Sequence, residues 1–552
     1  MADLKAESKD NNTLKQTSTA HDGETASTTG GGPGLHRGLS GRHLMMLAIG
    51  GVIGPGYFVG MGTGLTSAGP AGLLLCFTVV GVLLWAVIQS LGELGAFIPL
   101  SGLLQRSVLV EDQVSRYLGS FTHYTSTFVD PAVGFALGWN YWLLWAGIII
   151  AEYSMKSTHY CVSFLVKLMF DADNLGLVLT YWETAVPRWG WILIFWWFFL
   201  AFTLLGVKSF GEAEFWLALV KILAIFAFFL CAILITSGVL GGEKIGFKFY
   251  HDPGAFADGA KGVFKVFVFA ALLYSGTEMI GLTAGESANP ARDVPKAVKS
   301  VLWRICGIFL LGIFFLTITV PYNDPNLLSA TSKTARSPFV IAFTRVGANA
   351  GAHVVNAIIL VTMFSAINAA LYVGSRTLYG LAQEGQAPKI FAWTNKNGVP
   401  VVSLVVMNLI GFLSLLNLSS GAGVVYTWII SITGVATFIT WGLISLSHIR
   451  LRMALAAQNI SADVLPFQAP AWRFCAYLGL AGNVFFIFFQ GLTSFAPWDV
   501  EAFFQNYVVV LLFIILAVGW KVAKKTKFVN LKEIDLGSAR MVIHSQMTGQ
   551  PQ

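Results

Sequence analysis

Charge is what this sequence has least of. Asp, Glu, Lys and Arg make up 11% of its 552 residues, against about 25% in an ordinary soluble domain. So few charges exclude a water-soluble enzyme of several domains, although the length alone would suggest three or four. The five cysteines (Cys76, Cys161, Cys231, Cys306 and Cys475) lie far apart, each in an apolar run. No zinc or redox spacing of the C-x-x-C kind occurs. They read as single buried small residues, and neither a metal nor a cofactor is expected. Residues 1–38 lack the apolar core of a secretory signal and read as a disordered, attached tail.

Apolar residues are abundant instead, at 55%, with 43 Phe, 17 Trp and 57 Gly. That richness excludes disorder over most of the chain and fits a polytopic helical membrane protein, where Gly and interfacial aromatics are frequent. Apolar runs recur at 44–66, 71–99, 128–169, 189–207, 212–238 and 261–285, then at 300–321, 352–383, 400–418, 423–449, 472–495 and 503–523. Each can cross about 30 Å of hydrocarbon, for which about 20 residues suffice. The expected fold class is an all-α polytopic membrane protein of twelve transmembrane helices. The run 128–169 reads as one long helix containing Glu152, Lys156 and His159. The domain layout is a tail over 1–38, a transmembrane domain over 39–525 and a C-terminal tail over 526–552.

Basic residues orient this layout. With the N-terminus inside, the inner loops collect Arg106, Arg116, Lys208, Arg292, Lys296, Lys299, Arg304, Lys389, Lys396, Arg450 and Arg452, and both tails are lysine-rich. The outer loops hold only Arg188, Lys244, Lys248, Lys333, Arg336 and Arg345. The positive-inside rule then puts both termini in the cytoplasm. Topology thus accounts for the net charge of +7, and no nucleic-acid partner is expected.

Two of the twelve runs are interrupted. The first contains Gly50-Gly51-Val52-Ile53-Gly54-Pro55-Gly56. In a helix interior Gly costs about 1 kcal/mol and Pro about 3 kcal/mol, and Pro55 has no amide proton to donate. The sixth contains Tyr274-Ser275-Gly276-Thr277-Glu278-Met279-Ile280-Gly281, a small, polar, acidic patch in an apolar span. In lipid, broken backbone must find partners in protein or line a cavity. Paired interruptions at matching positions of two halves point to a transporter site at the midplane. The freed N–H groups of a half-helix can hold a carboxylate, and freed carbonyls an ammonium; a zwitterionic amino acid presents both. Close packing of helices through Gly-x-x-x-Gly is the simpler use of the glycines, but packing needs no proline. A phosphate loop is excluded, since no Gly-Lys-Ser/Thr follows.

Buried ionisable residues come next. Glu278 lies mid-span, where a charge costs roughly 2.5–3.5 kcal/mol on insertion scales. Unless a cation sits nearby, burial favours the neutral carboxyl, which suits a proton carrier; a structural hydrogen bond is the alternative. Lys221 lies deep in the fifth helix, where its ammonium could replace a sodium ion and tie that helix to carbonyls of the broken first one, or serve as an anchor. Glu152 and Lys156 are spaced i, i+4 in the favourable order and read as an internal ion pair. Glu93 and Arg376 read as interfacial. Trp139, Trp142 and Trp145 form a stripe expected to pack.

Several long stretches carry a resemblance: AIGGVIGPGYFVG (48–60), SLGELGAFIPLSG (90–102), FVDPAVGFALGWNYWLLWA (128–146), GEAEFWLALVKI (211–222), YSGTEMIGLTAGESANPARDVPKAVK (274–299) and LYGLAQEGQAPKIFAWTNKNGVP (378–400). In their order and length the chain resembles fungal amino-acid permeases, the yeast amino-acid transporter group of the amino acid–polyamine–organocation superfamily. The resemblance implies a five-plus-five inverted-repeat transporter fold, proton-driven uptake of L-amino acids at the plasma membrane, and no enzymatic activity. It implies substrate contacts at Ile53, Gly54, Pro55, Gly56 and Tyr57 and at Tyr274, Ser275, Gly276, Thr277 and Glu278, with Glu278 and Lys221 in proton coupling. Relatives usually read Gly-Thr-Gly-Leu-Phe where this chain has Gly54-Pro55-Gly56-Tyr57-Phe58. Carboxylate binding would then lean on the amides of Gly54, Gly56 and Tyr57. As in relatives, Lys5, Lys9 and Lys15 are candidates for the ubiquitylation machinery, solvated charge being the plain reading. A cationic-amino-acid permease, suggested by SLGELGAFIP, and a non-transporting sensor of the same fold are the alternatives.

Overall fold

The computed structural model describes residues 41–46, 53–97, 121–153, 188–283, 290–329, 337–418, 422–495, 497–534 and 536. Among these residues all regular structure is helical, apart from one isolated bridge between Phe495 and Trp498. The principal helices are α1 (Gly41–Met46), α2 (Met61–Phe97), α3 (Phe121–Phe128), α4 (Pro131–Tyr153), α5 (Arg188–Thr203), α6 (Val207–Thr236), α7 (Gly259–Tyr274) and α8 (Met279–Thr283). They continue with α9 (Pro290–Arg304), α10 (Leu311–Thr319), α11 (Pro338–Arg345), α12 (Asn349–Gln383), α13 (Val401–Ile410), α14 (Ala422–Ala457), α15 (Trp472–Phe489) and α16 (Val500–Lys524). A π-helical turn, Gly56–Gly60, leads into α2, and another, Ile305–Leu310, joins α9 to α10.

Nine described helices are long and apolar enough to cross a membrane, and Leu193–Thr203 and Val401–Ser414 are shorter apolar spans. One of the nine does duty for two crossings, because α2 bends at Gly69 (φ 75°) before Pro70. The bend needs glycine twice over: the positive φ excludes most side chains, and a Cβ there would fall 2.7 Å from the Ala257 amide nitrogen. The loop at Ala255–Ala257 closes this corner, the Ala71 amide donating to Ala255 O at 2.9 Å. Counted so, the described residues hold twelve candidate spans, the number the hydropathy suggests. Large apolar side chains such as Trp197, Leu230, Trp303 and Ile515 stand exposed on the outside, as a lipid-facing surface requires. The expected continuation of α4 to residue 169, with Lys156 and His159, lies outside the described residues, as does the 1–38 tail.

Several charges assigned to loops or interfaces lie inside the bundle. Glu93 is fully buried. Arg452 grips both its oxygens at 2.5 and 2.7 Å, His448 Nε2 lies 2.7 Å from Oε1, and the Ala469 amide donates to Oε2 at 2.8 Å. The cluster ties α2 to α14 and to the turn before α15. Arg376 is buried with its guanidinium 3.6 Å above the Tyr372 ring. Arg304, Arg450 and Arg452 are likewise buried, so three of the cations used to orient the chain are structural. Hydropathy misplaced them because an arginine at a helix end looks the same whether it points to water or back into protein. Cys306 departs the other way: it is exposed, while Cys76 and Cys475 are buried; Cys161 lies outside the described residues.

Beyond α16 the chain turns at Lys525 (φ 52°) and packs along the bundle end. Thr526 donates to Asp130 at 3.0 Å and the Val529 amide to Val129 O at 3.0 Å. Gln458 donates to Leu531 O and Ile534 O, and Ile534 and Leu536 are buried. Removing one partner of a buried ion pair strands the other. Arg452→Ala should therefore cost about 3–5 kcal/mol of stability, read as a lower unfolding temperature of the purified protein in detergent, whereas an unchanged midpoint would show the Glu93 cluster to be incidental.

Candidate functional site

The two interruptions are real breaks, and they meet. In the first rod Ile53 and Gly54 are not helical, and helix starts at Pro55 (φ −65°, ψ −20°). Pro55 therefore sits at a helix start, where its missing amide costs nothing and its fixed φ is already helical. It does not interrupt a helix interior, as the sequence reading had it. Gly50–Val52 lie outside the described residues. In the sixth rod α7 ends at Tyr274 and α8 begins at Met279. Gly276 takes φ 87° at the centre of that break, a backbone that excludes most side chains.

A cavity of about 90 Å³ lies between the breaks. Gly54 and Gly56 line it from the first rod, and Leu272, Leu273 and Ser275 from the sixth. Trp145, Ile148 and Glu152 of α4, Ala366 and Ala369 of α12, and Thr433 of α14 are also part of the wall. The wall is mostly apolar with a few polar groups, the usual make-up of a small-molecule site. Trp145, expected only to pack, is part of it. Glu152 brings the cavity's one ionisable side chain among these; its expected partner Lys156 is outside the described residues.

The remaining candidates divide. Ile53 is buried off the cavity. The Tyr57 amide is spent on Gly54 O at 3.1 Å, so it closes the first turn. Its phenol does not reach the cavity either: it is buried, donates to Ile308 O at 2.9 Å and packs among Phe58, Phe309 and Phe339. Gly312 makes the room, since a Cβ there would fall 1.7 Å from the phenol oxygen. Tyr274 is buried off the cavity too, its ring packed on Phe309 and its hydroxyl donating to Phe77 O at 3.2 Å.

At the second break, side chains replace the lost helical bonds. Ser275 Oγ donates to Leu272 O and Thr277 Oγ1 to Tyr274 O, both at 2.7 Å. Glu278 is fully buried behind the cavity wall. Its Oε1 accepts from the Gly276 amide at 2.9 Å and its Oε2 from Trp441 Nε1 at 3.0 Å. Arg304 bonds Thr277 Oγ1 and is close enough to interact electrostatically with Glu278 and Tyr274. Sequence reasoning missed Arg304 and Trp441, whose only signal was polarity inside otherwise apolar spans.

Lys221 is fully buried in α6. Its described partners are Ser365 Oγ of α12 at 2.7 Å and Glu214 Oε1 of its own helix at 3.5 Å; the first-rod carbonyls of Gly50–Val52 lie outside the described residues. Among the described residues no three His, Cys, Asp or Glu are grouped to hold a metal ion.

Membrane-crossing helices, two of them broken around one cavity, define a secondary transporter. The sequence profile of the family described as Amino acid permease matches residues 43–533. The chain is 40% identical to a general amino acid permease of Saccharomyces cerevisiae, over 92% of this chain and 85% of that one. It is 36% identical to a lysine-specific permease of the same yeast, over 93% of this chain and 80% of that one. A solved nucleobase–cation symport transporter, closed around bromovinylhydantoin, covers 92% of this chain and 98% of its own at 13% identity, with a TM-score of 0.46. The chain belongs to the amino acid permease family, and is a transporter rather than an enzyme.

Gly54 offers a clean probe of the cavity. A Cβ built there meets only Ala366 Cβ, at an ordinary 3.8 Å, so Gly54→Ala should fold normally while adding a methyl group to the wall. We expect KM for amino-acid uptake to rise about tenfold or more, the scale on which one methyl group is discriminated in a pocket. Unchanged KM and kcat would place the substrate elsewhere.

Proposed function

We propose that the chain imports L-amino acids with protons by alternating access in the plasma membrane, with both termini cytoplasmic. The supporting observation is a single one: Gly54 and Gly56 of one broken rod and Ser275 of the other line the same cavity. Peptide dipoles of two half-helices thereby face one small guest, with opposite ends suited to its carboxylate and its ammonium. Glu278, fixed by Gly276 and Trp441 immediately behind Ser275, stands where binding can be felt by a proton-carrying group. Rocking of one helix group against the rest would expose the site alternately to each side.

Glu278→Gln keeps the shape and one acceptor oxygen, leaves either the Gly276 amide or the Trp441 indole N–H without its acceptor, and removes the titratable proton. The variant should lose accumulation driven by a proton gradient in reconstituted vesicles; concentrative uptake at the wild-type level would refute proton coupling through this residue.

A narrower reading has its own support. Glu152 is a carboxylate on the cavity wall, and a lysine-specific permease is among the relatives. Cationic amino acids are therefore the runner-up substrate class. Competition of labelled uptake by all twenty amino acids decides: on this reading lysine and arginine compete best and Glu152→Gln abolishes their advantage, whereas a profile led by neutral amino acids and indifferent to Glu152→Gln rejects it. Binding without flux would instead mark a sensor.

A further inference from the structure

The motif GEAEFWLALVKI holds two carboxylates with different fates. Glu212 is half exposed and meets Arg42 and His43 of α1. Glu214, two residues on, points to another side of α6 and is fully buried. Seven residues separate it from Lys221, a rise of about 10 Å along the helix. Helical side chains lean towards the N-terminus, so the lysine stem reaches back over Ala218, itself fully buried, towards the carboxylate. Ser365 of α12 fills the space between them. Lys221 Nζ donates to Ser365 Oγ at 2.7 Å, and Ser365 Oγ donates to Glu214 Oε1. The direct Nζ–Oε1 separation is 3.5 Å.

A serine that accepts from an ammonium and donates to a carboxylate is a two-step proton path already aligned. We propose, resting on the proton-coupled reading above, that Glu214 is the proton acceptor of Lys221 and Ser365 the relay between them. One ammonium N–H bond breaks as the proton joins Ser365 Oγ, and the serine O–H proton passes to Glu214 Oε1. Ammonium and carboxylate become amine and carboxylic acid. Net charge is unchanged and no other reactant is needed. The lysine can therefore lose its charge inside the membrane without a proton first crossing hydrocarbon. Glu214 lies nearer than Lys221 to the start of α6, where α1 packs, so it is the group that exchanges the proton with that end of the bundle.

Among the described residues no third charge pairs with Lys221 or Glu214. Of the described helices packed against α6, α10 carries no charged residue and α5 only Arg188. α1 carries Arg42 and His43, both engaged with Glu212. α12 carries His353 and Arg376, the latter stacked on Tyr372. None of these forms an ion pair with Lys221 or Glu214 among the described residues. The Asn368 amide stands beside the carboxylate.

The test uses full-length protein in vesicles and compares accumulation driven by a proton gradient with amino-acid exchange at zero gradient. Exchange needs the site but no net proton movement. In Glu214→Gln and in Ser365→Ala, accumulation should fall roughly 10²-fold further than exchange, the low end of what a positioned proton-transfer group contributes. Ser365→Thr, which keeps the hydroxyl, should restore the wild-type ratio. Should Glu214→Gln not fold, the two serine variants decide. A wild-type ratio in Ser365→Ala, or failure of Ser365→Thr to rescue, overturns the relay. Wild-type protein that exchanges amino acids but never accumulates them would overturn proton coupling itself, a distinct result.

Discussion

A peptide group without a hydrogen-bond partner costs several kcal/mol in hydrocarbon, and this chain breaks two helices inside the membrane. Every feature of the site follows from how those breaks are repaired. At Ser275–Glu278 the repair is made by side chains: Ser275 and Thr277 cap carbonyls of the preceding turn, and Glu278 folds back onto the Gly276 amide. The carboxylate is thus first a substitute for a lost helical acceptor. Trp441 on α14 then holds the substitute in place, while Arg304 at the end of α9 bonds Thr277 beside it. A proton on Glu278 Oε1 would break the bond to the Gly276 amide that closes the break, one residue from Ser275 on the cavity wall.

The same economy governs the other buried charges. Two buried carboxylates meet partners on a separate part of the chain: Glu93 meets Arg452 and His448 of α14, and Glu278 meets Trp441. The Glu214–Lys221 ion pair lies within one helix and meets α12 at Ser365. Buried pairs that cross between helices fix their relative position, since separating them strands a charge in a medium that cannot solvate it. A pair contained within one helix and joined to its neighbour by one hydroxyl leaves that neighbour freer to move.

Much of this was legible from residues alone. Apolar run length located the crossings, and the two clusters of glycine with proline or acid located both breaks, because both signals are local and backbone-based. Tertiary placement was not legible. Tyr57 looked like an intruder into the site, yet a slot beside Gly312 takes its ring away from it. Arg304, Arg450 and Arg452 looked like loop charges because one-dimensional charge counting has no direction, whereas the structure turns all three inward. Glu214 drew no notice because seven residues is two helical turns, a spacing whose meaning depends on what fills the gap.

Pro55 shows how a local departure can be absorbed. In the usual family pattern a threonine between two glycines offers an amide and a hydroxyl. Here the proline begins the half-helix, and the Tyr57 amide turns back on Gly54 O. Of the three amides expected to greet a carboxylate, those of Gly54 and Gly56 remain as candidates, flanking a residue with none. A fixed φ at Pro55 orders these two neighbours before any guest arrives, and ordering that is complete beforehand is not charged against binding. The loss of two donors is therefore partly offset by rigidity. On the proposed reading, the first rod is left with two amides, those of Gly54 and Gly56, for the substrate carboxylate.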